Sequence, residues 1–170
     1  AHPEIIELNK NCGLKFKKRF ISQSEPMLKK VNQVKTALMI GSGSIGQRHI
    51  RNLKRIGIND IIALRTKKGH YKKIPKDLQV IEVGSWDDAI KKKPDIAIIS
   101  NPTSLHLEAA LSIYKNVKGI FIEKPLSRSL DNCQELIDTL NKNQVVSFVG
   151  HNLMFHPIIK NIIKFYDEND

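Results

Sequence analysis

Three polar clusters in this chain each follow a short apolar run. Ser100-Asn101-Pro102-Thr103, with His106 close behind, follows Ile96-Ala97-Ile98-Ile99. Glu123-Lys124-Pro125 follows Gly119-Ile120-Phe121-Ile122, and Gly150-His151-Asn152 follows Val145 to Val149, with Phe155-His156-Pro157 just beyond. These residue types suit hydride transfer, in which a proton must leave a substrate hydroxyl as the hydride leaves its carbon. A lysine or histidine beside a nicotinamide ring can handle that proton. Lys124 is the foremost catalytic candidate, and His151 a second that would assist or hold a substrate hydroxyl. His106 and His156 read as structural, His106 by orienting the loop in which it sits. No group of residues has the spacing of a metal site.

A further cluster, Gly41-Ser42-Gly43-Ser44-Ile45-Gly46, carries no ionisable group. It follows the apolar run Ala37-Leu38-Met39-Ile40 and precedes Ile45, His49, Ile50 and Leu53 at helical spacing. Strand, glycine turn and helix are the context in which G-x-G-x-x-G signifies a dinucleotide pyrophosphate site. Gly41 permits the tight turn, Gly43 lets backbone approach the phosphates, and Gly46 lets helix pack on strand. The positive end of the helix dipole then faces the anion. Arg65, 19 residues beyond Gly46, ends the second strand where a carboxylate would select NAD. An arginine there, followed by Thr66, Lys67 and Lys68, suits a 2′-phosphate and favours NADP over NAD.

The elements that must position these groups alternate from Lys35 onward. Strands are expected at 36–40, 61–65, 80–83, 96–99, 119–122 and 145–149. Helices are expected from Ser44 to Ile56, ending at Gly57, and from Trp86 to Lys92, capped by Ser85. Others run from Thr103 or Ser104 to Tyr114, from a Ser129 cap through Leu140, and from Pro157 to Tyr166. Strands and helices in alternation specify an α/β fold, a doubly wound parallel sheet of the Rossmann type with six strands in the order 3-2-1-4-5-6. Right-handed crossovers place helices on both faces, and ligands bind beyond the carboxyl ends of the strands.

The 170 residues allow one domain with a true core and a short extension. The net charge of +11 is dispersed, without a basic stripe interleaved with aromatics, so nucleic acid is not an expected partner. No apolar run approaches a membrane span and the first residues lack a secretory pattern, so a cytoplasmic protein without a membrane partner is expected. Cys12 and Cys133 read as two reduced thiols. Residues 1–34 fall outside the alternating pattern, either as an arm packed on a domain or partner, or as a regulatory or oligomerising segment. The apolar set Ile158, Ile159, Ile162, Ile163 and Phe165 suggests a partner surface, and a homo-oligomer is expected.

In order and spacing, GSGSIGQRH, NPTSLHLEAAL, FIEKPLS and VGHNLMFHP resemble the glucose–fructose oxidoreductase / inositol dehydrogenase / rhizopine-catabolism (Gfo/Idh/MocA) family. The resemblance covers Lys35 to about Ile163. It implies NAD(P)-dependent oxidoreduction of a sugar, sugar derivative or cyclitol, with a small sugar-like substrate as partner of the full-length parent. It assigns the pyrophosphate turn to Gly41, Gly43 and Gly46, with Ser42, Ser44 and Ile45 between them. Asn101, Pro102, Thr103 and His106 become the strand-4 loop beside the cofactor. Glu123, Lys124 and Pro125 become the motif whose lysine is catalytic, with a cis Lys124–Pro125 bond. His151 and Asn152 lead into the substrate site. With Arg65, these residues other than Pro125 and His151 make up the expected cofactor contacts. Met154 stands where the family usually has arginine. The family also has a second domain that supplies most of the substrate pocket. The expected organisation is therefore an extension at 1–34, a dinucleotide-binding domain at 35–154, and at 155–170 the start of a helix leading to that missing domain. Such a chain is incomplete for catalysis; the alternative is a truncated, non-catalytic nucleotide-binding or oligomerisation module.

Overall fold

The computed structural model of the chain describes residues 34–65 and 73–169. Six strands form one sheet: β1 (Thr36–Ile40), β2 (Asp60–Leu64), β3 (Ile81–Val83), β4 (Ile96–Ile99), β5 (Gly119–Ile122) and β6 (Val146–Val149). Their order is β3-β2-β1-β4-β5-β6, with every neighbouring pair parallel. The helices are α1 (Ser44–Arg55), α2 (Trp86–Lys91), α3 (His106–Ile113), α4 (Cys133–Lys142) and α5 (Pro157–Asn169). The expected doubly wound α/β sheet is therefore present, with its switch point between β1 and β4.

Strands buried on both faces read as continuous apolar runs, and the central ones do so here. Leu38, Ile40, Ile62, Leu64, Ala97, Ile99, Ile120 and Ile122 share one core cluster with Ala109, Ala110 and Ile113 of α3 and Leu136 and Leu140 of α4. Strand residues of the other parity, Ala37, Met39, Ile61 and Ala63, are equally buried. Such closely packed positions lose about 2–5 kcal/mol when a large aliphatic side chain is cut to alanine. Both edge strands are short; β3 is largely exposed, whereas β6 is exposed only at Val146 and half-buried beyond it, and short edges limit unwanted pairing.

Local signals hold at several boundaries. Ser85 caps α2, its Oγ accepting from the Asp88 N–H at 3.1 Å. Gly57, with φ of +90°, ends α1. The Lys124–Pro125 bond is cis.

Other boundaries differ from expectation. Ser129 does not cap α4, which begins only at Cys133. Asn132 instead turns into that helix with φ of +61°, and no side chain caps it. Cys133, a free thiol, donates from Sγ to the Ser129 carbonyl. The Thr103–Leu105 segment is a 3₁₀ turn, so α3 itself starts at His106. Ile45 does not join the buried stripe of α1. It is 46% exposed at the open end of the first turn, and the buried positions are Gly46, Gln47, Ile50 and Leu53. Cys12 and the bases Thr66 to Lys68 precede or interrupt the described residues and lie outside them.

Candidate functional site

Parallel register builds the site. Leu64, Ile40, Ile99, Ile122 and Val149 stand side by side across the sheet. Each is the last residue of its strand, so Arg65, Gly41, Ser100, Glu123 and Gly150 form the next row on a single rim. The ladder itself runs one step further at this rim. Ser100 N donates to Ile40 O at 2.7 Å, Glu123 N to Ile99 O at 2.9 Å, Gly150 N to Ile122 O at 2.8 Å, and Arg65 N to Val83 O at 2.9 Å. Backbone pairing thus brings the glycine turn and all three polar clusters to the carboxyl end of the sheet, the rim where open α/β sheets bind ligands.

Each glycine of the turn answers to a different neighbour. Gly41 has φ of +97°, and a Cβ there would collide with the backbone of Ser100 and Asn101. A Cβ on Gly46 would strike the Gly41 carbonyl and come within 3.0 Å of Ser100 Oγ. These two glycines are required by the packing of β1, α1 and the β4 end on one another. Gly43 is different: its φ is −67° and a Cβ on it would meet nothing within 4 Å. Protein packing does not demand glycine at that position, whereas close approach by a diphosphate does. Gly43 is also the residue before α1, and no side chain caps the helix there. The first N–H groups of a helix have no intrahelical partners, and their dipole end attracts anions. The charges along α1 agree: no acid in the first turn, Lys54 and Arg55 in the last.

Beside this turn, Ser100 Oγ donates to Gly41 O at 2.8 Å and braces the end of β4 against that of β1. Asn101 follows. Its side-chain oxygen is buried without a hydrogen-bond partner among the described residues. A buried amide oxygen left unpaired costs about 1–3 kcal/mol, so a donor from a bound group fits there. His106 is 1% exposed and lies between two loops. Its Nε2 is 2.9 Å from Asn101 O and its Nδ1 3.0 Å from Pro125 O. Both nitrogens face protein carbonyls, so His106 ties the β4 loop to the Lys124–Pro125 loop. That is the orienting role, and it leaves the ring no free nitrogen for the cofactor contact also expected of it. Pro102 is exposed and Thr103 half-buried on the same loop.

Glu123 is likewise engaged by the protein. His49 Nε2 donates to Glu123 Oε1 at 2.7 Å, and the Lys124 N–H donates to Glu123 Oε2 at 3.2 Å. The carboxylate joins α1 to the backbone of the lysine loop. The His49 ring meets Phe121 edge-on at 5.1 Å, and Phe121 stacks on Phe148 at 5.7 Å, contacts that fix the imidazole. Lys124 is exposed on the rim, as are His151 and Asn152 beyond β6. His156 sits apart from them, its Nδ1 accepting from the Ile158 N–H at 3.3 Å at the start of α5.

At the far side of the rim, Arg65 is not held out to solvent. Its side chain is 15% exposed, and Nη1 donates to Glu82 Oε2 at 2.9 Å. Four further residues shape this rim: Glu82 and Gln47, which no sequence signal marks, Ser100, legible only as the head of its polar cluster, and His49, legible only as a position on the α1 stripe. Gln47, 8% exposed, donates weakly to Ser42 O at 3.3 Å and Lys73 O at 3.4 Å. No group of three or more potential metal ligands occurs among the described residues, and no helix among them is long and apolar enough to cross a membrane.

A six-stranded parallel sheet, with an uncapped helix and open space beside Gly43 at its switch point, has the form of a dinucleotide-binding α/β domain. The chain belongs to the Gfo/Idh/MocA oxidoreductase family, NAD-binding Rossmann fold, whose profile residues 35–151 match. The uncharacterized oxidoreductase YrbE of Bacillus subtilis is 31% identical over 138 residues, 73% of this chain and 37% of that protein. Myo-inositol 2-dehydrogenase of Thermotoga maritima is 28% identical over 127 residues, 73% of this chain and 38% of the relative. Among solved structures, a probable dehydrogenase from Thermotoga maritima is 26% identical with a TM-score of 0.67, covering 78% of this chain and 41% of the other. The myo-inositol dehydrogenase of Lactobacillus casei, solved with NAD(H) and myo-inositol, shares the fold at a TM-score of 0.68 and 20% identity, over 79% and 42% of the two chains. This chain spans about two fifths of the length of these relatives.

Proposed function

We propose that residues 35–154 bind a nicotinamide dinucleotide for an oxidoreductase acting on a hydroxyl of a sugar, sugar derivative or cyclitol. The observation that carries this reading is the single rim on which Gly43, Asn101 and Lys124 lie. The N–H groups at the start of α1 would hold the diphosphate, and Asn101 Oδ1 would accept from the bound group. The cofactor supplies the hydride donor or acceptor. Lys124 would take up or deliver the hydroxyl proton, with Glu123 and His49 fixing its loop and His151 and Asn152 approaching from the β6 side. Residues 155–170 would lead toward the part of the protein that selects the substrate. The kind of substrate is inferred from relatives such as the inositol dehydrogenases.

For the adenosine end, Arg65 supports a preference for NADP over NAD. A guanidinium at the end of β2 suits a 2′-phosphate, which it can hold through paired charge-assisted bonds. Fluorescence titration with NADPH and NADH tests both statements. Saturable binding of both is expected, with NADPH tighter, and Arg65→Asp should reverse the order. Absence of binding would overturn the dinucleotide reading, and tighter NADH binding by the wild type would overturn the NADP preference.

A further inference from the structure

We infer that Glu82 sets cofactor specificity from the neighbouring strand by competing with a 2′-phosphate for the Arg65 guanidinium. This inference rests on the dinucleotide reading above. The register pairs Ala63 with Glu82, and Leu64 with Val83. Alternate residues of a strand share a face, so Ala63 and Arg65 point the same way. Glu82 is therefore the diagonal neighbour of Arg65 across β2 and β3, a distance long side chains span. The observed bond, Nη1 to Oε2 at 2.9 Å, realises that geometry. Exposure differs between the partners: 15% for the Arg65 side chain and 48% for Glu82. The arginine is the embedded member and the carboxylate the more exposed one, so an incoming phosphate meets a guanidinium already engaged by Glu82.

A carboxylate carries one negative charge, whereas a phosphate monoester carries nearly two and offers three acceptor oxygens. The phosphate therefore competes successfully for the arginine, but part of its binding energy goes into displacing or sharing Glu82. A cofactor without the 2′-phosphate leaves the Arg65–Glu82 pair undisturbed. Glu82 consequently weakens NADP binding while leaving NAD binding nearly unchanged, and so narrows the gap between the two.

Equilibrium titration of NADPH and NADH into wild type, Glu82→Gln, Arg65→Gln and the double variant tests this. Glu82→Gln should tighten NADPH by roughly three- to tenfold, the scale of an exposed charge pair or somewhat more, and move NADH by less than about twofold. In the Arg65→Gln background the same substitution should change neither affinity, an outcome that a purely structural role for Glu82 does not produce. If both nucleotides bind but Glu82→Gln leaves their ratio unchanged or shifts it toward NADH, the specificity role is overturned while the dinucleotide site stands. If wild type binds neither nucleotide, both fall together.

Discussion

The two rims of the sheet are built from the same strands and are finished in opposite ways. At the amino end, Asp95 precedes β4 and its carboxylate is satisfied within the protein. Its carboxylate accepts from Lys118 Nζ at 2.7 Å, from the Lys35 N–H at 2.9 Å and from the Thr36 N–H at 3.1 Å. The Lys118 hydrogen bond, followed by those from the two amides, holds the carboxyl at a pKa of about 2, below its ordinary 3.8. At the carboxyl end, α1 starts without a side-chain cap, the Asn101 side-chain oxygen lacks a partner among the described residues, and Gly43 borders open space. A closed rim stabilises the fold; an open one leaves donors and acceptors for something that is not protein. The contrast supports the proposed ligand site on the carboxyl rim without reference to any relative.

The largest expected effect comes from closing the carboxyl rim against itself. Gly46→Val drives a side chain into the Gly41 carbonyl. It should lower stability by roughly 3–5 kcal/mol, as severe overpacking against backbone does, measured by urea denaturation. A smaller effect belongs to the amino rim. Because the folded pKa of Asp95 is depressed, its contribution is present above pH of about 3.8 and is lost as pH falls through about 2. Asp95→Asn should cost about 1–2 kcal/mol near neutrality, and the difference from wild type should shrink as pH falls across that window. A constant difference at every pH would mean that shape, not charge, explains the role of Asp95.

Much of this architecture was legible in the residues. The strand order followed from apolar runs separated by helical patterns, because a parallel α/β sheet has few permitted topologies. Ser85 and Gly57 marked real helix ends because their bonds are local. The glycine turn was legible for the same reason, since backbone conformation and close approach are written into residue type. What escaped was contact between distant segments. His49 counted as one more position on the α1 stripe, yet it binds Glu123, 74 positions away. Arg65 read as a strand-end cation suited to a 2′-phosphate, but β3 delivers Glu82 beside it. Periodicity says which face a residue occupies and nothing about which partner a neighbouring strand brings to that face. Ser129 misled in another way: a good capping residue marks where a helix is able to begin, and the turn through Asn132 delays it to Cys133.

The most direct measurement concerns Gly43, the one glycine of the turn that no protein neighbour requires. Gly43→Val should change stability by less than about 1 kcal/mol and weaken NADPH and NADH at least ~tenfold in calorimetric titration, because the side chain fills the space a diphosphate needs. A variant that binds both nucleotides with wild-type affinity, or one that unfolds as readily as Gly46→Val, would contradict the assignment of this rim to a dinucleotide.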